Sequence, residues 1–221
     1  MKTYKFRSVE NLEFVIDILL NNRLYCSDVQ SLNDIREADV RIGKDQGRVK
    51  EVIDFGNQVS TLLKGTRVCS LCKTFQNHLL WSYYAGGSTG LAIEVDLPPD
   101  DAVEVQYNDE FLFLSDHVDS GDAQAMVEKI LSHKYTDWRH EQEIRIITKD
   151  PYYVLPTPVS RVIVGSRMKS TTIDALALIC DPLGIQIDRA VVADWGIYTV
   201  GAQTFNDIRI SKRSQIKQQP D

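Results

Sequence analysis

The sequence predicts an α+β fold: a single domain over residues 1–210, with mixed or antiparallel central sheets flanked by helices, then a polar tail at 211–221. Three observations predict it. Short β-branched runs at residues 90–96, 161–165 and 185–193 have the length and composition of strands. Other segments, at 8–20, 49–63, 122–134 and 171–180, space their apolar residues as helices do. Finally, no internal repeat or low-complexity linker divides the 221 residues, and 43% hydrophobic content is ordinary for a chain that buries a real core.

Taken in order, Tyr4-Lys5-Phe6-Arg7 alternates aromatic and basic residues and reads as a strand with Lys5 and Arg7 on one face. Ser8 then has the character of a helix N-cap, Leu12, Val15, Ile16, Leu19 and Leu20 follow at helical spacing, and Asn21-Asn22 supplies the stop. Residues 23–27 read as a second strand in which Arg23, Tyr25 and Ser27 share a face. A charged segment at 36–48 precedes a helix carrying Val49, Val52, Ile53, Val59, Leu62 and Leu63, ended by Gly65. Strands are expected at 66–71, 90–96 and 102–107, a helix at 122–134, and strands again at 141–148, 161–165, 185–193 and 197–200. In the stretch 141–148, strict alternation would set Glu141, Glu143 and Arg145 in one row. Such a row either edges a cleft that handles charged groups or pairs across strands on a solvated face.

Composition removes several classes of function. A net charge of −6 and a pI near 5.3 argue against a general nucleic-acid binder, whose affinity rests on many Lys and Arg contacts to phosphate. A local basic grip by Lys44, Arg48, Lys50 and Arg67 stays open. No apolar run is long enough for a membrane span and the first residues lack a signal-peptide core, so a cytoplasmic protein with reduced thiols and no membrane partner is expected. Cys69 and Cys72 have the spacing of half a zinc knuckle, but no second half exists and the four histidines follow no ligand spacing; no metal site is expected. Dinucleotide, P-loop and nucleophile-elbow glycine motifs are also absent. Gly86-Gly87 and Gly90 read as a turn or as a close approach to a ligand. In Trp81-Ser82-Tyr83-Tyr84, Trp81 reads as core, and one of the two tyrosines must point elsewhere, free to stack on a flat ring.

An Arg, an aromatic or hydroxyl pair and a Glu on different strands suit cleavage of a glycosidic bond through an oxocarbenium-like transition state. A carboxylate stabilises the developing charge, and an Arg grips a pyrophosphate. The succession Tyr4-Lys5-Phe6-Arg7, Leu24-Tyr25-Cys26-Ser27 leading to Asn33-Asp34, Leu80-Trp81-Ser82-Tyr83-Tyr84-Ala85 running into 90–96, Lys134-x3-Trp138-x2-Glu141-x-Glu143-x-Arg145, and Ile163-Val164-Gly165 resembles a bacterial and phage family known as a domain of unknown function. In its order of functional residues the chain is also similar to the NAD-binding core of mono-ADP-ribosyltransferases. That resemblance implies an ADP-ribosyltransferase-like fold with NAD as substrate, Arg7 on its phosphates or ribose, and Tyr25 or Ser27 at the nicotinamide ribose. It further implies Glu143 as the catalytic carboxylate and Glu141 as the acceptor-orienting one, and Tyr83 is the aromatic expected at the cleft mouth. Tyr25-Cys26-Ser27 stands where the family has Ser-Thr-Ser. The function implied is an enzyme of toxin or phage-conflict type that modifies RNA, DNA or protein, with a neutralising antitoxin as partner. The alternative is a module on the same fold that binds a nucleotide or partner without cleaving it.

Overall fold

The structure is a computed structural model, described here for residues 1–32, 40–43 and 47–201. In chain order its elements begin with β1 (Lys2–Arg7), α1 (Leu12–Asn21), β2 (Arg23–Tyr25), β3 (Ser27–Asp28), β4 (Val40–Arg41), α2 (Val49–Lys64), β5 (Arg67–Cys72), α3 (His78–Tyr84) and β6 (Leu91–Asp96). They continue with β7 (Val103–Glu104), β8 (Gln106–Tyr107), β9 (Leu112–Phe113), α4 (Ala123–Leu131), β10 (His133–Lys134) and β11 (Glu143–Thr148). The last are β12 (Tyr152–Val154), β13 (Arg161–Val164), α5 (Ser170–Cys180), β14 (Gln186–Ala193) and β15 (Gly196–Gly201). Mixed sheets with flanking helices make this the α+β class that the two apolar periodicities predict. Asn33, Asp34, Lys44 and the tail at 211–221 lie outside the described residues.

The described chain forms two compact units, each assembled from non-contiguous segments. The first comprises Met1, 23–73 and 97–156. Its sheet sets β5, β11 and β7 side by side in antiparallel pairing, with β3 added to β5. The apolar faces of α2 and α4 supply its core: Val52, Phe55 and Val59 from one, Met126, Val127 and Ile130 from the other, packed with Val68 of β5. Asp122 caps α4 by accepting from the Ala125 amide at 2.9 Å.

Among the described residues the second unit comprises 2–22, 74–96 and 157–201. Its strand order is β15-β14-β13-β6-β1, antiparallel except for the parallel pair β13–β14. Every residue of β6 from Leu91 to Val95 is buried, which explains an apolar run without clean alternation. Trp81 of α3 is core, edge-on to Phe6 at 5.2 Å, with its indole N–H donated to the Phe75 carbonyl at 2.6 Å. On the same sheet Arg161 donates to Glu94 at 3.1 Å, to Asp188 at 2.7 Å and to Thr199 at 2.7 Å. Burial pushes the Glu94 carboxyl up, but hydrogen bonds from Lys2 and Arg161 outweigh it and hold the group below its ordinary value.

Several local expectations are corrected. Ser8 accepts from the Glu10 amide at 3.2 Å, yet it caps a 3-10 turn, Val9–Asn11, and α1 begins only at Leu12. Tyr25 and Ser27 do not share one strand: β2 pairs with β12, whereas Ser27 pairs with Val68 of β5. The strand expected at 102–107 is two, β7 and β8, interrupted at the buried Val105. Glu141 closes a 3-10 helix, Thr136–Glu141, and Gln142 turns the chain at φ 46°, so β11 starts at Glu143 and the row Glu141–Glu143–Arg145 is not a strand face. The strict alternation assumed for that row requires extended backbone at every residue, and one left-handed residue ends it. Among the described residues no helix is long and apolar enough to cross a membrane.

The Gly86–Gly90 loop is a close-packed turn. Gly86, Gly87 and Ser88 all have positive φ, and the Gly165 and Arg167 amides donate to the Gly90 and Ser88 carbonyls. A Cβ on Gly165 would lie 2.1 Å from the Ser88 carbonyl oxygen, a backbone atom that cannot swing aside, whereas one on Gly87 meets nothing within 4 Å. Gly165→Ala is therefore expected to lower the unfolding free energy by about 2–3 kcal/mol, and Gly87→Ala by only about 1 kcal/mol, the strain of a left-handed residue. Urea denaturation of both variants checks the order; equal costs would contradict the packing described.

Candidate functional site

The first unit buries four charged side chains in one cluster. Lys134 sits on β10, Glu141 at the end of the 3-10 helix, and Glu143 and Arg145 two residues apart on one face of β11. All four are at most 4% exposed, with Arg145 at 0%. Ionic groups at that depth are tolerated only when every charge has a partner. Each has one. Arg145 makes a bidentate pair with Glu143, Nε to Oε1 at 2.8 Å and Nη2 to Oε2 at 3.0 Å, and its Nη1 donates to the Leu131 carbonyl at 2.8 Å. Lys134 Nζ donates to Glu141 at 2.7 Å and to Glu143 at 3.0 Å, and lies 4.9 Å from the centre of the Trp138 ring.

At Glu143 and Lys134 burial works toward the neutral form, and the ion pair between them opposes it. Burial pushes the Glu143 carboxyl up, against the pull of Lys134 and a hydrogen bond from Ser70. For Lys134, burial acts downward, but the two adjoining carboxylates outweigh it and hold the ammonium well above its ordinary value. The geometry decides for the charged forms, because both Glu143 oxygens accept from cationic donors.

Beside this cluster opens a polar cleft of about 370 Å³, within the first unit, lined by Lys73, Glu104, Gln106, Tyr107, Arg139 and Gln142 together with Val105. Tyr107 joins it to the cluster: its hydroxyl oxygen accepts from the Glu143 amide at 2.7 Å. Burial and the nearby carboxylates push the phenol above its ordinary value, so it remains a neutral O–H donor at any physiological pH. Gln142 lies in the cleft wall between two residues whose carboxylates turn inward, and its carbonyl accepts from the Lys73 amide at 3.0 Å. Arg139 and Gln142 are exposed. Two cations, a phenol and an amide around one opening can bind an oxyanion.

The residues expected from the sequence are distributed unevenly. Glu141 and Glu143 are brought together, through Lys134. Tyr25, Ser27 and the two glutamates belong to the first unit, while Arg7 and Tyr83 belong to the second. Tyr25 is an exposed residue of the β2–β12 ribbon, edge-on to Tyr152 at 5.7 Å. Arg7 ends β1 with its guanidinium 5.9 Å from the centre of the Phe14 ring, and Tyr83, 61% exposed on α3, sits edge-on to Tyr84. Lys73, Tyr107, Arg139 and Gln142 were not singled out by the sequence. Lys134 stands in the Lys-x3-Trp-x2-Glu-x-Glu-x-Arg spacing, where its signal is a lone cation just after an amphipathic helix. Comparison of the chain with family models, with curated proteins and with solved structures finds no match.

Removing Lys134 leaves two buried carboxylates facing a single Arg145. Lys134→Met is expected to cost about 3–5 kcal/mol in urea unfolding at neutral pH. A lysine whose folded pKa is raised stabilises fully below its unfolded value, near 10.4, and loses that contribution as pH climbs toward the folded value. The gap between wild type and Lys134→Met should therefore narrow above about pH 10.4. A gap that stays constant through that range would show that Lys134 is not held charged.

Proposed function

We propose that the first unit is a nucleotide-binding module whose polar cleft takes the phosphate-bearing part of a ligand of the NAD class. The observation that carries this reading is the convergence of Lys73, Arg139, Tyr107 and Gln142 on one opening of about 370 Å³, a size within the usual range for small-molecule sites. The guanidinium suits a bidentate contact to phosphate, the ammonium a point contact, and the two neutral donors fix orientation.

A second reading, ADP-ribosyl transfer from NAD, is favoured by the single hydrogen bond that separates the cleft from Glu143, through Tyr107. In that reaction the bond between nicotinamide and ribose C1′ breaks, the pair of electrons leaves with nicotinamide, and an acceptor nucleophile attacks the oxocarbenium-like carbon and gives up its proton to solvent. Glu143 would stabilise the positive charge, with Glu141 beside it orienting the acceptor. For this, one Glu143 oxygen must exchange a cation of the cluster for the ribose. The acceptor would be RNA, DNA or protein, and a chain with this activity would act as a toxin or phage-conflict effector held in check by an antitoxin.

Calorimetric titration with NAD and with ADP-ribose, run beside an assay for released nicotinamide, tests both readings. Binding of both ligands is expected, weakened about tenfold or more by Arg139→Ala, the loss of a charge-assisted contact. Binding with no nicotinamide release establishes the module. Release that disappears in Glu143→Gln, with the ADP-ribosyl group recovered on an acceptor rather than as free ADP-ribose, establishes transfer. If neither ligand binds, the cleft has been misread.

A further inference from the structure

One acidic residue stands among the cations of the cleft. Glu104 lines it with Lys73 and Arg139, and its carboxylate is ion-paired with the Lys73 ammonium. Sheet register explains the meeting. β5 and β7 flank β11 on opposite sides; Lys73 follows the last residue of β5, and Glu104, the last residue of β7, lies opposite Ile144. Neighbouring strands are about 4.8 Å apart, so the two side chains reach across the width of β11 to touch. The pair is wet, with Lys73 38% and Glu104 58% exposed, and a pair so exposed contributes at most about 1 kcal/mol to folding. Its position in the wall of a binding cleft is therefore not accounted for by stability.

We infer that Glu104 is an internal competitor of the anionic ligand, holding Lys73 until a phosphate takes its place and so setting the affinity threshold of the cleft. This rests on the cleft being the phosphate-binding site proposed above. A pyrophosphate offers Lys73 more negative charge than one carboxylate does, and Arg139, exposed on the same wall, gives it a second cation. The Glu104 carboxylate, once displaced, returns to water at little cost because it is already largely solvated. Ligands that carry a single weak charge gain nothing from the exchange and are turned away.

The test is a thermodynamic cycle on the full chain, with ADP-ribose as the probe at one fixed low salt concentration. Glu104→Gln keeps the size of the side chain and removes its charge, and should tighten binding about fivefold. Lys73→Gln should weaken binding, and the double variant should bind no tighter than Lys73→Gln alone, because the gain comes from a released lysine. If wild type binds and Glu104→Gln binds equally or more weakly, the competitor role is overturned while the cleft assignment stands. If the double variant keeps the fivefold gain, the effect is general charge removal, and the competitor role is again overturned. If neither wild type nor Glu104→Gln binds ADP-ribose, the assignment of the cleft falls and the inference with it.

Discussion

The buried contact of Lys134 and Arg145 with Glu143 constrains the first unit more than any other interaction. A cation and a carboxylate removed from water are each costly, and the cost is offset only when donor and acceptor geometry is complete. Completeness here needs three segments at once: Lys134 on β10, Glu141 at the end of a 3-10 helix, and Glu143 and Arg145 at alternate positions of β11, with the Leu131 carbonyl accepting from a further guanidinium nitrogen. The left-handed Gln142 serves this closure. Extended backbone at that position would set Glu141 and Glu143 on one strand face; the turn instead lets Glu141 reach Lys134 from the helix side.

The same closure shapes the cleft next to it. With both carboxylates drawn inward, the exposed Gln142 between them joins Lys73, Arg139 and Tyr107 in the wall. Tyr107 is the shared element, taking the Glu143 amide on its oxygen while its own proton remains available as a donor. The second unit manages buried charge by the same rule: Glu94 and Asp188 are buried because Arg161 spans both.

How much of this was legible in the sequence depends on whether the signal was local. Helical spacing located α2, α4 and α5 to within a few residues, because one apolar face per helix must be covered wherever the helix docks. The apolar runs at β6, β13 and β14 were legible for the same reason. Of the two-residue strands, β4, β9 and β10 were missed altogether, being too short to show a period. The break at Cys26 was hidden too, since the alternation Arg23, Tyr25, Ser27 continues through it although the two halves pair with different strands. Glu143 and Arg145 were recognisable as neighbours on one face; that Glu143 also pairs with Lys134 was not, because contacts across separate segments leave no periodicity.

By itself the sequence determined the fold class, most of the longer helices and strands, and the presence of a dense charged segment before an apolar strand. These follow from propensity and from the two periods of apolar burial, which any packing of the chain must respect. Tertiary structure alone decided which charges meet. It turned the two glutamates away from solvent, gave both to Lys134, and left Lys73, Arg139, Tyr107 and Gln142 around an opening that no stretch of the sequence encodes. The physical reason is that burying an ion depends on partners assembled in three dimensions, whereas sequence order fixes only which residues share a face of their own element.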